Sequence, residues 1–168
     1  AKKLRDYHKV FLNRDSNHTD DFGCNLFLKK NIPLGAGLGG GSSNAATTLI
    51  ILKKLWNLKF SAKKLFEIAL ELGADVPFFL QSKPCFISGI GEKINYNINN
   101  ISLPKFFVLL IPNIKVCTKD IFQSYSPSRY SQTILDKDIV GAAKFNNYWT
   151  YGRNDLEVQT CQRYPEVK

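Results

Sequence analysis

The sequence predicts an α+β protein, and three observations carry that reading. Segments with apolar residues at helical spacing alternate with short runs of strand-like pattern. Five of the seven positions Gly35–Gly41 are glycine, where one such run meets a helix. The polar stretch "NINNISLPK", Asn97–Lys105, divides the chain into two parts. With 168 residues, 44% of them hydrophobic, the chain is long enough for one ordinary domain or for two small lobes sharing a cleft, and it has the apolar content to bury a core.

In chain order, "AKKLRDYHKVFL" carries Leu4, Tyr7 and Phe11 at helical spacing and predicts an amphipathic helix, followed by the polar loop "NRDSNHTDDFG". "CNLFLKKNIPL", with Leu26 and Leu28 alternating with other positions and Pro33 near its end, predicts a strand that enters the glycine-rich loop. Beyond the loop, Ala45, Leu49, Leu52 and Trp56 recur at i, i+4, i+7 and i+11, so a helix is expected to begin near Ser42 or Ser43. Ser61 as N-cap and Gly73 as C′ residue bound a second helix, whose apolar face holds Leu65, Phe66, Ala69 and Leu72. "PCFISGIGEKINYNI" predicts a hairpin turning at Gly89–Gly91, and "FFVLLIP", Phe106–Pro112, a buried strand. In "NDLE", Asn154 and Glu157 have the spacing of a capping box at a helix start.

The net charge of +9 is spread along the chain as lysine pairs (Lys2-Lys3, Lys29-Lys30, Lys53-Lys54, Lys63-Lys64) with no long basic block. A solvated lysine-rich surface accounts for it. The competing reading is attraction of phosphorylated ligands or nucleic acid, but basic residues interleaved with stacking aromatics are not seen. The four cysteines, Cys24, Cys85, Cys117 and Cys161, stand far apart without a CxxC or a nearby histidine pair, which argues against a zinc site or a disulfide framework and fits a reducing compartment. No apolar run is long enough to span a membrane and no signal peptide is evident. The chain opens on Ala1 and contains no methionine, which reads as a trimmed or incomplete chain.

A glycine cluster is entropically unfavourable, so its place at a strand-to-helix junction calls for something the bare backbone does there. Phosphate binding answers this. Without Cβ atoms, successive N–H groups converge on an anion, and the free amides of the next helix add partial positive charge. Ser42 and Ser43 are placed to cap the helix, to donate to phosphate oxygens or to help hold magnesium. "GAGLGG" formally satisfies G-x-G-x-x-G, but the preceding strand is short and lysine-bearing, and no acidic residue follows about twenty positions on. A Walker A loop needs Gly-Lys-Ser/Thr where this chain has Gly-Ser-Ser-Asn. A flexible linker does not normally run straight into an Ala/Leu/Ile helix.

"PLGAGLGGGSSNAA", Pro33–Ala46, resembles the second motif of the GHMP kinase superfamily, and "LGADVPFF", Leu72–Phe79, is similar to a segment that one branch of it carries downstream. "KKNIP", "GIGE", "LLIPNIKVCTKDIF" and "NDLE" agree in order, so the resemblance spans nearly all of residues 24–157. It implies a two-lobed GHMP kinase fold, with a ribosomal-protein-like ATP lobe over residues 1–100 and an α/β substrate lobe over 101–168. It also implies phosphorylation, with ATP and Mg²⁺, of the tertiary 2-hydroxyl of a cytidine-diphosphate derivative in the non-mevalonate isoprenoid pathway.

The resemblance sets ATP along Pro33, Leu34, Gly35, Ala36, Gly37, Leu38, Gly39, Gly40, Gly41, Ser42 and Ser43, with Lys30 near the adenine side. It makes Asp75 the catalytic carboxylate, a group able to accept or orient a hydroxyl proton; an N-cap role for Asp75 is the alternative. It aligns Phe122 with an aromatic that stacks on cytosine and Thr118 with a neighbouring substrate contact, although "CTKDIF" lacks the prolines usual there and core packing of Phe122 stays open. The family's opening lysine-bearing strand, its "GYH" segment and its final glycine-rich motif have no counterpart here, and His8 lies within the first expected helix. The chain is therefore expected to be the middle of an enzyme, incomplete at both ends, with apolar surface and sheet edges exposed and no turnover alone. A small-molecule partner is expected, with neither nucleic acid nor membrane; oligomeric state and metal ligands stay open. The compartment is bacterial cytoplasm, or plastid stroma after loss of a transit peptide. The competing functions are another GHMP kinase (mevalonate-type, homoserine or sugar) and a non-catalytic nucleotide- or RNA-binding module.

Overall fold

The computed structural model describes residues 2, 6, 23–96, 105–124 and 154–168. Lys2 and Asp6 are helical; the rest of the expected N-terminal helix, with His8 and the loop after it, lies outside the described residues. The chain divides into two units, one formed by Ala1–Ile32 with Gly39–Asn97 and the other by Pro33–Leu38 with Ile98–Lys168.

The first unit is built on α1, Gly40–Leu55, and α2, Ala62–Leu72. α1 begins at Gly40 rather than at Ser42 or Ser43, because the glycines themselves turn into the helix. Its inner face is Ala46, Leu49 and Leu52, all buried, and it continues into buried Trp56. A Schellman motif ends it. Asn57 turns left-handed at φ 49, its N–H reaches the Lys54 carbonyl at 3.2 Å, and the Leu58 N–H reaches Lys53 at 2.9 Å. Leu58 and Phe60 then drop into the core, so the turn delivers two apolar anchors.

Ser61 caps α2 as expected, its Oγ accepting the Lys64 N–H at 3.1 Å. Leu65, Ile68 and Ala69 are buried, whereas Leu72 at the end of the expected stripe is 44% exposed. Gly73 ends the helix as its C-cap, in extended backbone at φ 167, and not as the C′ residue expected. The core of α1 and α2 is closed by Val76 and by fully buried Pro77, which leads into a 3-10 turn, Phe78–Leu80. Full burial of a Leu or Ile contributes about 1.5–3 kcal/mol, so Leu52 and Ile68, both at 0% exposure, are principal anchors of this unit.

The expected hairpin is present as β1, Phe86–Ser88, and β2, Lys93–Asn95, antiparallel with Ser88 opposite Lys93. Gly89 and Gly91 take positive φ in its loop. The other two expected strands are not formed. Cys24–Pro33 carries neither helix nor strand, and no described strand pairs with it. Residues 106–112 likewise form no strand and are exposed, with Phe106, Val108 and Leu110 at 89%, 90% and 91%. Apolar content and β propensity suit such a segment to a sheet, but a strand exists only where a neighbour completes its ladder.

In the second unit, α3, Thr118–Ser124, meets α4, Glu157–Arg163, and Ile121 is buried at 2% exposure. The Cys117 N–H donates to the Tyr164 hydroxyl and Arg163 pairs with Asp120, each at 3.4 Å. The expected capping box is replaced by an Asx turn: Asn154 Oδ1 accepts the Leu156 N–H at 3.0 Å, and the helix starts at Glu157. No helix among the described residues is long and apolar enough to cross a membrane.

Candidate functional site

The start of α1 is the chemically distinctive place in the first unit. Gly39, its N-cap, is left-handed at φ 64 and offers no side chain, and the first turn has no acidic residue. The first intrahelical bond is from the Ser43 N–H to the Gly39 carbonyl, 2.9 Å. The amides of Gly40, Gly41 and Ser42 precede it, without an intrahelical acceptor. Neither serine hydroxyl caps the helix.

Lys30 Nζ lies 3.4 Å from where a Cβ on Gly40 would sit, with the Ile32 side chain beside it. An ammonium group at the positive end of a helix dipole is unfavourable by about 0.3–1 kcal/mol at an exposed site. Lysine charge, free amides and the missing acid all act in one direction, toward an anion. Side chains are kept out of the same place, because a Cβ on Gly40 would lie 3.1 Å from Ile32 Cγ2 and one on Gly39 2.6 Å from Phe79 Cζ.

Phe79 ties this loop to the turn that bears Asp75. The turn Gly73–Val76 is closed by the Val76 N–H on the Gly73 carbonyl at 3.1 Å. Asp75 is exposed and makes no hydrogen bond or ion pair among the described residues. It is not an N-cap: the 3-10 turn is capped at Pro77, with no side-chain bond. The Phe78 and Phe79 rings meet edge to face at 4.8 Å, which fixes the ring that supports the loop. The support from Phe79 was not foreseen from the residues; only its place in "GADVPFF" signalled it.

The first half of the glycine loop belongs to the second unit. There Gly35 and Gly37 are left-handed, and Lys115 lies 3.6 Å from the Cβ position of Gly35. Pro33–Leu38, Leu109–Val116, Thr118, Ile121 and Thr160 line part of a cleft of about 790 Å³. Thr118 thus faces a cavity, whereas Phe122, one helical turn on, is 60% exposed. Among the described residues, the buried residue of α3 is Ile121. No group of three or more His, Cys, Asp or Glu side chains among the described residues is arranged to hold a metal ion.

A bare-backbone anion cradle at a helix start, braced by the element that follows a Gly-Ala-Asp turn, defines a class. Residues 3–83 match the family described as GHMP kinases N terminal domain.

The named relatives narrow the comparison. The chain is similar to 4-diphosphocytidyl-2-C-methyl-D-erythritol kinase of Buchnera aphidicola subsp. Schizaphis graminum, 48% identical over 64% of this chain and 36% of the relative. It is also similar to the kinase of that name from Nitrosospira multiformis, 43% identical over 87% of this chain and 46% of the relative. A solved crystal structure of 4-(cytidine 5'-diphospho)-2C-methyl-D-erythritol kinase aligns with a TM-score of 0.57 and 34% identity, over 82% of this chain and 49% of that one. The chain spans about half the length of most of the curated relatives it matches.

Proposed function

We propose that this chain carries the ATP-phosphate site and the catalytic carboxylate of a kinase that phosphorylates the 2-hydroxyl of 4-diphosphocytidyl-2-C-methyl-D-erythritol. The observation that carries the reading is the Lys30 ammonium beside the uncapped, acid-free start of α1. In this reading the amides of Gly40–Ser42 take up phosphate charge together with Lys30, whose ammonium lies at the helix start and is therefore assigned to the phosphates instead of the adenine side that the resemblance implied, and Pro33–Leu38 lead the chain past the nucleotide. Asp75 orients the substrate hydroxyl and accepts its proton as the oxygen attacks the terminal phosphorus of ATP. Thr118 contacts the substrate and Phe122 presents an exposed ring on which cytosine stacks.

Magnesium, when bound with ATP, neutralises charge on the phosphates, and Ser42 and Ser43 are the hydroxyls that would hold it. The test is phosphoryl transfer from ATP to this substrate by the complete gene product and by its Asp75→Asn form. Activity abolished by the substitution, with nucleotide still bound, supports the reading. Transfer to another small alcohol instead redirects the substrate assignment, and nucleotide binding with no transfer at all refutes a kinase.

A further inference from the structure

The "GIGE" loop of the hairpin has no part in the site as described, yet it touches the turn that bears Asp75. Gly91 is buried and left-handed, with φ +110. A Cβ there would collide with the Ala74 carbonyl oxygen and lie 2.9 Å from its carbonyl carbon. That carbonyl belongs to the peptide unit joining Ala74 to Asp75, so the Gly91 backbone packs directly against the peptide from which Asp75 projects. The loop is itself braced: Glu92 Oε2 accepts the Ile90 N–H at 2.6 Å, and the Gly91 N–H reaches the Ser88 carbonyl at 3.4 Å. The backbone amides of Glu92 and Ile90, with Lys93 adding a smaller effect, hold the Glu92 carboxyl below its ordinary range, so the brace is ionised near neutrality.

We infer that Gly91 and Glu92 are positioning residues for the Asp75 carboxylate: Glu92 locks the hairpin loop, and the loop, through the side-chain-free face of Gly91, sets the Ala74–Asp75 peptide. The inference rests on Asp75 being the phosphoryl-transfer carboxylate. Position matters because a displacement of about 1 Å at a reacting group can lower a rate by roughly 100-fold.

The experiment measures kcat, KM for each substrate and nucleotide-binding stoichiometry in the complete gene product for Asp75→Asn, Gly91→Ala, Glu92→Ala and Glu92→Gln. The expected result is a kcat about 10- to 100-fold lower in Gly91→Ala. KM for ATP and the binding stoichiometry should hold, a split that general destabilisation would not give. Glu92→Ala should lose part of kcat, and Glu92→Gln, which keeps an acceptor for the Ile90 amide, should restore most of it. Wild-type kcat in a folded Gly91→Ala overturns the inference. If Gly91→Ala does not fold, Glu92→Ala decides, and wild-type kcat there overturns it equally. Full activity in Asp75→Asn would instead remove the function on which the inference stands, so the two failures are separate.

Discussion

The edge of the Phe79 ring occupies the space that a side chain on Gly39 would need, 2.6 Å from the Cβ position to Cζ. Gly39 is also left-handed at φ 64, where a Cβ is strained whatever the room. Two independent penalties therefore fall on one residue at the start of α1. Gly39→Ala is expected to unwind the first turn of α1 and to weaken ATP binding by about tenfold or more, at roughly 1.4 kcal/mol per tenfold. Calorimetric titration with a non-hydrolysable ATP analogue measures this; unchanged affinity would show that the loop tolerates a side chain and is not shaped for close approach.

Lys30 makes a prediction of opposite sign for stability and for binding. Its ammonium faces the positive end of α1, so in the absence of an anion Lys30→Gln should leave thermal stability unchanged or raise it by up to about 0.5–1 kcal/mol. The same change should weaken ATP binding by a few-fold to about tenfold, because Lys30 is exposed and its interaction is screened. Melting with and without the ATP analogue reads both effects. A loss of stability without nucleotide would mean that Lys30 serves the fold.

What could be read from the residues divides along physical lines. α1, α2 and the Ser61 cap were legible, because helix periodicity and capping are local. Asn57, the left-handed end of α1, is equally local: an Asn after Lys53 and Lys54 in the last turn is a helix stop signal. Cys24–Pro33 and Phe106–Pro112 were read as strands from pattern alone, and pattern does not supply the neighbour that a ladder requires. In the candidate site, the residues alone suggested phosphate binding by the glycine loop, whereas the roles proposed for Lys30, Asp75, Thr118 and Phe122 rest on the family resemblance. The contacts of Gly39 with Phe79 and of Gly91 with Ala74 join segments distant in sequence, and no single segment encodes them.

Phe122 separates binding from folding. At 60% exposure, its truncation removes little packing, so Phe122→Ala should change stability by no more than about 0.5 kcal/mol. If the ring stacks on cytosine, the same variant should lose about 1–3 kcal/mol of substrate binding, a rise in KM of roughly 5- to 150-fold. Phe122→Tyr, which keeps the aromatic face, should retain most of the affinity, and KM for ATP should not move. Steady-state kinetics at saturating ATP, beside a melting curve, makes the comparison. A large stability loss with unchanged substrate KM would return Phe122 to a purely structural role.

Glu92 gives the hairpin an acid dependence whose sign is fixed. Its folded pKa lies below the ordinary value, first through the N–H groups of Glu92 and Ile90, with Lys93 contributing in the same direction. A group depressed in the folded state adds stability above its unfolded pKa, and that stability is lost as pH falls through the lower folded pKa. The β1–β2 loop should therefore loosen on the acid side of the ordinary carboxylate range and be insensitive to pH above it. Amide hydrogen exchange at Ile90 and Gly91, corrected for intrinsic rates and followed downward from neutral pH, should show protection falling in that window. In Glu92→Gln the profile should be flat across it. An equal acid dependence in the variant would assign the effect to another group.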